Sequence, residues 1–113
     1  MNWNILDNTK QISELRKLSH EKHVVIFKHS TSCYISSMVL KQFEKGFNVD
    51  LLKEKSVFYF LDLIKYRAVS NHIANEFGIR HESPQVLVVR DGKVIHHSSH
   101  SRIRPEQIEP ILI

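Results

Sequence analysis

Two runs of consecutive apolar residues stand out in an otherwise mixed chain. Residues 23–28 (HVVIFK) and 56–63 (SVFYFLDL) are rich in β-branched and aromatic side chains and have the length of a strand. The first run shows little alternation of apolar and polar positions, which is typical of a strand buried on both faces. We therefore predict that these two runs form the centre of a sheet, with residues 4–6 as a short edge strand.

The last third of the chain contains a hairpin signal. Residues 85–89 and 93–97 have strand character, and Asp91-Gly92 lies between the two segments. Asp-Gly favours the tight turn that joins antiparallel strands. This pattern predicts that the sheet ends in a β-hairpin.

Apolar residues at helical spacing predict helices between and after the strands. Asn8 has the character of a helix cap, with Gln11 three residues later able to reach back to it. The periodic positions are Ile12, Leu15 and Leu18; Ile35, Val39, Phe43 and Phe47, with Met38 beside them; Val69, Ile73 and Phe77; and Ile108, Ile111 and Leu112.

Glycine and proline predict where these helices stop or start. Gly46 and Gly78 follow the second and third periodic segments and fit helix ends. Pro105 lies where the last helix begins. Pro110 falls inside that segment, so we expect the helix to be short or kinked.

The order of these elements predicts the fold class. It is strand–helix–strand, then a helix, a β-hairpin and a final helix. The two strand-length runs separated by a helix imply parallel pairing through a right-handed crossover, and the hairpin adds antiparallel strands. We expect an α/β, thioredoxin-like fold over residues 1–113, a single domain with a central mixed sheet flanked by helices on both faces.

The net charge and the lengths of the apolar segments limit where the protein is expected to be located and which partners it is expected to bind. The net charge is +4 over 113 residues, and the basic residues are scattered without a stripe, which argues against nucleic-acid binding. This charge fits small anionic thiols or acidic partners better. The N-terminal segment lacks the pattern of a signal peptide, and no apolar run approaches the roughly 20 residues of a membrane span. We expect a cytoplasmic monomer without membrane association.

The chain contains a single cysteine, Cys33, between a predicted strand and a predicted helix. Unpaired backbone N–H groups and the positive dipole end at a helix start stabilise a thiolate, which lowers the pKa of the thiol and makes it a better nucleophile. Lys28 and His29 lie just upstream, and His81 is in a loop expected to flank the cysteine. These three residues are candidates for stabilising the thiolate.

The residues around Cys33 predict a monothiol mechanism. A dithiol oxidoreductase has a second cysteine three residues after the first, and here that position is Ser36. Serine cannot form a disulfide, although its hydroxyl can bond the sulfur, so exchange should stop at a mixed disulfide until an external thiol attacks. Ser83-Pro84 precedes a buried strand in a loop that faces the cysteine in this fold. A cis bond is one geometry that fits there, and the Ser83 backbone would pair with an extended thiol substrate.

The eight histidines raise the possibility of a metal site. His96, His97 and His100 cluster near the end of the hairpin. Neighbouring strand residues point to opposite faces of a sheet, so His96 and His97 make a poor ligand pair. We therefore expect no metal at these residues.

Four segments resemble a known family: 24–36 (VVIFKHSTSCYIS), 69–74 (VSNHIA), 78–85 (GIRHESPQ) and 91–95 (DGKVI). They resemble the YtxJ family, the monothiol bacilliredoxins of the bacillithiol system in Gram-positive bacteria, over nearly the whole chain. The family pattern has proline directly after the cysteine, where this chain has Tyr34, whose ring can pack against an adduct.

This resemblance implies that Cys33 takes bacillithiol from mixed disulfides on proteins, and that a second bacillithiol or a downstream reductase regenerates the thiol. Bacillithiol would then be a co-substrate, with no cofactor, and bacillithiolated proteins would be the partners. The candidate substrate-binding residues are Thr31, Ser32, Tyr34, Ser36, Ser83 and Pro84.

Two other functions are compatible with the sequence. Monothiol glutaredoxin-like proteins bridge an iron–sulfur cluster between two chains, but Tyr34 and Ile35 lack the glycine that this class carries after its cysteine. A stress-associated binding module in which Cys33 is a buried structural residue is the non-enzymatic alternative. Cluster reconstitution would separate the first from de-bacillithiolation, and alkylation kinetics would separate the second.

Overall fold

The computed structural model describes residues 1–32, 34–52 and 54–113. The described chain contains five strands and five helices, with a 3₁₀ turn before the last helix. They are β1 (Trp3–Ile5), α1 (Lys10–Leu18), β2 (His23–His29), α2 (Tyr34–Lys45), α3 (Val49–Leu52), β3 (Ser56–Asp62), α4 (Arg67–Phe77), β4 (Gln85–Arg90), β5 (Lys93–Ser99), the 3₁₀ turn His100–Arg102 and α5 (Pro105–Leu112).

The strands form one mixed sheet in the order β1-β3-β2-β4-β5. β1 and β2 both run parallel to β3, whereas β4 is antiparallel to both β2 and β5. The central strand β2 is buried along nearly its whole length, as its unbroken apolar run predicts. The α/β class and the mixed sheet are confirmed.

Alternate residues of the central strands bury two separate cores, one on each face of the sheet. Val25 and Phe27 of β2 face α2, α3 and α5 and pack with Phe43, Leu52 and Ile108. The intervening residues of β2 face α1 and α4; this second core contains Leu6, Ile12, Leu15, Val24, Ile26, Leu61, Val69, Ile73, Leu87 and Val89. The sheet is therefore covered by helices on both faces, as predicted.

The hairpin turn has the backbone conformation that its sequence predicts. Both central residues have positive φ, 52° at Asp91 and 76° at Gly92, which matches the twist of the flanking strands. The tip is fixed to the end of α1, because the Asp91 N–H donates to the Ser19 carbonyl and the Gly92 N–H donates to Ser19 Oγ, each at 2.9 Å.

Two of the predicted helix ends are confirmed. Asn8 Oδ1 accepts the N–H of Lys10 and Gln11 Oε1 accepts the N–H of Asn8, both at 2.9 Å, so the reciprocal cap forms just before α1. Gly78 ends α4 with φ 67°. The last helix is short, eight residues with Pro110 inside it.

Gly46 follows α2 but does not end it in the left-handed conformation, because its φ lies outside that region. Its role is a close approach between helices: a Cβ at this position would overlap the ring of Pro105 at the start of α5. The helix ends at Gly46 as predicted, and the glycine is needed there for packing.

The predicted apolar face of α2 is only partly buried. Phe43 and Phe47 lie in the core, whereas Ile35 is 60 % exposed and Met38 is 45 % exposed. The N-terminal part of α2 therefore presents apolar side chains at the surface, although their spacing suggested a core role. None of the described helices has the length and apolar character needed to cross a bilayer.

Candidate active site

The end of β2, the start of β4 and the end of β5 lie side by side at one end of the sheet. Lys28 pairs with Gln85, and Gln85 pairs with Ser99. Cys33 follows β2 in the sequence and directly precedes Tyr34, the first residue of α2. Cys33 itself lies outside the described residues, so the prediction for its thiol stays a prediction. The described residues around it define the candidate site.

The loop before β4 has the backbone geometry that the sequence suggested. The Ser83–Pro84 peptide bond is cis, and Pro84 is buried while Ser83 is half-buried. The Pro84 carbonyl accepts the N–H of His100 at 3.0 Å, and Gln85 Nε2 donates to the Arg80 carbonyl at 3.0 Å. These bonds hold the loop against both its own strand and the 3₁₀ turn.

Ser36 is fully buried in the first turn of α2 and bonds to the end of β2. Its Oγ lies 2.8 Å from Nδ1 of His29 and accepts the N–H of Ser30 at 3.2 Å. A hydroxyl has one hydrogen and two acceptor sites, so both contacts can form together. Burial lowers the pKa of His29, although the carboxylates of Asp62 and Glu44 oppose the shift, and an unprotonated Nδ1 can accept a hydrogen bond from the serine hydroxyl.

The residues beside Cys33 are open to solvent. Thr31 and Ser32 lie in an exposed turn, in which Ser32 Oγ is 3.3 Å from Ser30 Oγ. Tyr34 is 77 % exposed. Three of the predicted substrate-binding residues, Thr31, Ser32 and Tyr34, are therefore accessible to a substrate, whereas Ser36 faces inward.

Lys28 lies on the other face of the sheet from His29 and is completely buried. Its Nζ donates to the Ser70 carbonyl of α4 at 3.3 Å and lies 3.5 Å from Nδ1 of His81. Ser70 Oγ is 3.1 Å from the same nitrogen. Burial lowers the pKa of Lys28 to about 8, and burial together with the charges of Lys28 and Arg67 lowers the pKa of His81.

The three candidate thiolate-stabilising residues therefore separate into two groups. His29 lies on the α2 face with Ser36, whereas Lys28 and His81 form a cluster with Ser70 on the α4 face. Ser70 was not singled out from the sequence. The signal was present, because Ser70 adjoins the periodic position Val69 and precedes Ile73 by three residues, which places it on the buried face of α4.

The histidines at the end of the hairpin are arranged as the strand alternation predicts. His96 pairs with Val88 and His97 with Leu87, and these two partners belong to the cores on opposite faces. Within residues 1–32, 34–52 and 54–113, no group of three or more His, Cys, Asp or Glu side chains is placed to hold a metal ion.

The sheet order, the cis proline before β4 and helix α2 after β2 together define a protein of the thioredoxin fold. Solved structures agree. A proposed oxidoreductase with a thioredoxin fold is 27 % identical, with a TM-score of 0.76 over 92 % of this chain and 88 % of that one. Thioredoxin from Malassezia sympodialis is 22 % identical, with a TM-score of 0.72 over 98 % and 88 % of the two chains. Thioredoxin from Trypanosoma brucei brucei is 14 % identical, with a TM-score of 0.70 over 96 % and 86 %.

A match to one protein family identifies the chain more specifically than its fold does. The model of the family described as monothiol bacilliredoxin BrxC matches residues 4–108, so the chain belongs to the monothiol bacilliredoxins. The predicted family is confirmed. The family and the fold together support a redox function as a thiol oxidoreductase, and the single cysteine of the sequence fits the monothiol type.

Proposed function

We propose that this chain removes bacillithiol from mixed disulfides on proteins, with Cys33 taking up the bacillithiol. The observation that carries the proposal is the residue three positions after the cysteine. Ser36 occupies the place of a second cysteine, and its hydroxyl is bonded to His29 and Ser30. With one cysteine in the sequence, no internal thiol can displace a small thiol from Cys33.

The reaction consists of two thiol–disulfide exchanges. In the first, the Cys33 thiolate attacks the bacillithiol sulfur of the mixed disulfide, and the substrate protein leaves as a thiolate. In the second, the thiolate of another bacillithiol attacks the bacillithiol sulfur on Cys33 and forms bacillithiol disulfide. Cys33 returns as a thiolate, so bacillithiol is a co-substrate and each exchange conserves electrons.

The described residues have separate roles in this scheme. Thr31, Ser32 and Tyr34 are exposed and contact the substrate, and the backbone of Ser83 before cis-Pro84 pairs with its extended segment. Ser36 and His29 fix the first turn of α2 to the end of β2. Lys28 and His81 lie together on the opposite face of the sheet. From there the Lys28 ammonium supplies positive charge to the site and the His81 ring supplies a polar group. The reducing conditions of a cytoplasm suit this chemistry.

The test uses a protein carrying one bacillithiol on a single cysteine. It is incubated with the wild-type chain or with Cys33→Ser, and intact masses are recorded after the reaction is quenched with acid. We expect the wild type to gain one bacillithiol while the substrate loses it, and Cys33→Ser to gain none. If neither chain gains an adduct and the substrate keeps its bacillithiol, the proposal is wrong.

A further inference from the structure

A polar cavity of about 540 Å³ lies beside the end of β5. It is bounded by the last residues of that strand, by the 3₁₀ turn and by the first turn of α5. Its lining includes Glu82, His96, Ser98, His100, Arg102 and Gln107.

The cavity adjoins the candidate active site. Glu82 lies two residues before cis-Pro84, and the His100 N–H bonds the Pro84 carbonyl at 3.0 Å. Across the sheet, Ser99 pairs with Gln85, which pairs with Lys28. Two strand spacings, roughly 10 Å, therefore separate the end of β5 from the end of β2, after which Cys33 follows in the sequence.

Two residues that line the cavity carry a buried polar atom that lacks a partner. Among the described residues, His96 Nε2 and Ser98 Oγ are inaccessible to solvent and have no hydrogen-bond partner. Both residues project to the face of β5 that α5 covers, because they pair with Val88 and Val86 of that core. Because both atoms are closed to solvent, a ligand in the cavity can pair with them only if the His96 ring and the Ser98 hydroxyl turn toward it, and such pairing would remove the cost of leaving them unpaired.

The lining carries charges of both signs. Arg102 provides a guanidinium, and Glu82 provides a carboxylate whose Oε2 lies 3.7 Å from Nδ1 of His100. Burial and the neighbouring His97 lower the pKa of His96, which favours the neutral form of its ring. This lining suits a small molecule that combines carboxylates, hydroxyls and an ammonium group.

We infer that this cavity binds the glucosaminyl-malate part of bacillithiol, with the malate carboxylates on Arg102 and the cysteinyl end directed toward cis-Pro84. The inference rests on the proposed function, because it identifies the surface that recognises the same thiol. Bacillithiol joins a cysteine with a free amino group to glucosamine and malate, and a guanidinium binds carboxylates with good geometry. The Glu82 carboxylate is placed on the Pro84 side, where the cysteinyl ammonium would lie.

The binding test uses glucosaminyl malate without the cysteine, titrated into the ¹⁵N-labelled full chain. We expect amide shifts at His96, Ser98, Arg102 and Gln107, and binding about tenfold weaker in Arg102→Gln. The matched control is Arg104→Gln, two residues further along and outside the cavity lining, which should bind as the wild type does. Shifts located elsewhere, equal binding by Arg102→Gln, or equal shifts from sulfate at the same concentration would overturn the inference.

A kinetic test separates this inference from the proposed function. The same substrate protein is prepared with bacillithiol or with 2-mercaptoethanol, a small neutral thiol, on its cysteine. We expect Arg102→Gln to raise the KM for the bacillithiol form about tenfold and to leave the 2-mercaptoethanol form unchanged. If both forms react as with wild type, the cavity assignment is wrong while de-bacillithiolation stands. If the wild type binds glucosaminyl malate in the cavity but removes neither thiol, the proposed function fails instead.

Discussion

The hydroxyl of Ser36 lies 2.8 Å from Nδ1 of His29, and this contact joins the first turn of α2 to the last residue of β2. The same hydroxyl accepts the N–H of Ser30 at 3.2 Å. The side chain at the resolving position of a dithiol enzyme is thus a structural element here. It fixes both ends of the segment that carries the cysteine.

Replacing Ser36 by alanine should destabilise the fold. The substitution leaves the Ser30 N–H and His29 Nδ1 without this partner in a buried place, and such a loss costs about 1–3 kcal/mol. Urea denaturation at pH 7 measures the change. The control is Ser13→Ala, an exposed serine in α1, which should change the free energy of unfolding by less than about 0.5 kcal/mol. Equal effects of the two substitutions would contradict a structural role for the buried hydroxyl.

Replacing Ser36 by cysteine should convert the monothiol reaction into a dithiol one. The new thiol, three residues after Cys33, can attack the mixed disulfide on Cys33 and release bacillithiol as a thiolate. We expect the variant to finish the reaction with an internal disulfide and without an adduct, whereas the wild type keeps the adduct. Intact mass after acid quenching distinguishes these products. Retention of bacillithiol by both chains in equal yield would count against the assigned geometry of this position.

A second stability prediction follows from the close contact between Gly46 and Pro105. A Cβ at position 46 would overlap the Pro105 ring, and overpacking of this kind costs about 1–3 kcal/mol. Gly46→Ala should therefore lower the free energy of unfolding. The double variant with Pro105→Ala should recover part of the loss, because Cγ, one of the two overlapping ring atoms, is removed while Cβ remains. Strict additivity of the two substitutions in a mutant cycle would show that the two sites are not coupled.

The strands, the hairpin and most helices could be predicted because their signals are local. The Asp91-Gly92 turn, the Gly78 helix end and the unbroken apolar run of β2 each depend on a few neighbouring residues. The exposure of Ile35 and Met38 and the packing role of Gly46 could not be predicted in this way. They depend on which elements lie opposite, and periodicity alone does not provide that information.

The candidate site also combines features that the local sequence predicts with features that only tertiary packing determines. The cis bond at Ser83–Pro84 and the inward position of Ser36 fit the order of elements around the cysteine. The separation of Lys28 from His29 follows from strand alternation and could have been foreseen. The pairing of Lys28 with Ser70 and His81 could not, because α4 and its following loop are distant in sequence and meet Lys28 only in the folded chain.

The buried Lys28 predicts a specific dependence of stability on pH. Burial lowers its pKa from 10.5 to about 8 in the folded chain, so between these values the unfolded chain binds more protons than the folded one. Lys28 therefore makes the free energy of unfolding rise with pH across this interval. Lys28→Met removes that contribution, so the free energy of unfolding of the variant minus that of the wild type should fall by about 2 kcal/mol between pH 7.5 and pH 10.

Urea denaturation of both chains at several pH values measures this difference. The matched control is Lys17→Met on the exposed side of α1, where the charge stays in water and the difference from wild type should change little over the same interval. Because every other titrating group is common to the chains compared, a change confined to Lys28→Met reports the buried ammonium. A difference that stays constant from pH 7.5 to pH 10 would mean that Lys28 keeps its proton in the folded chain as readily as in the unfolded one.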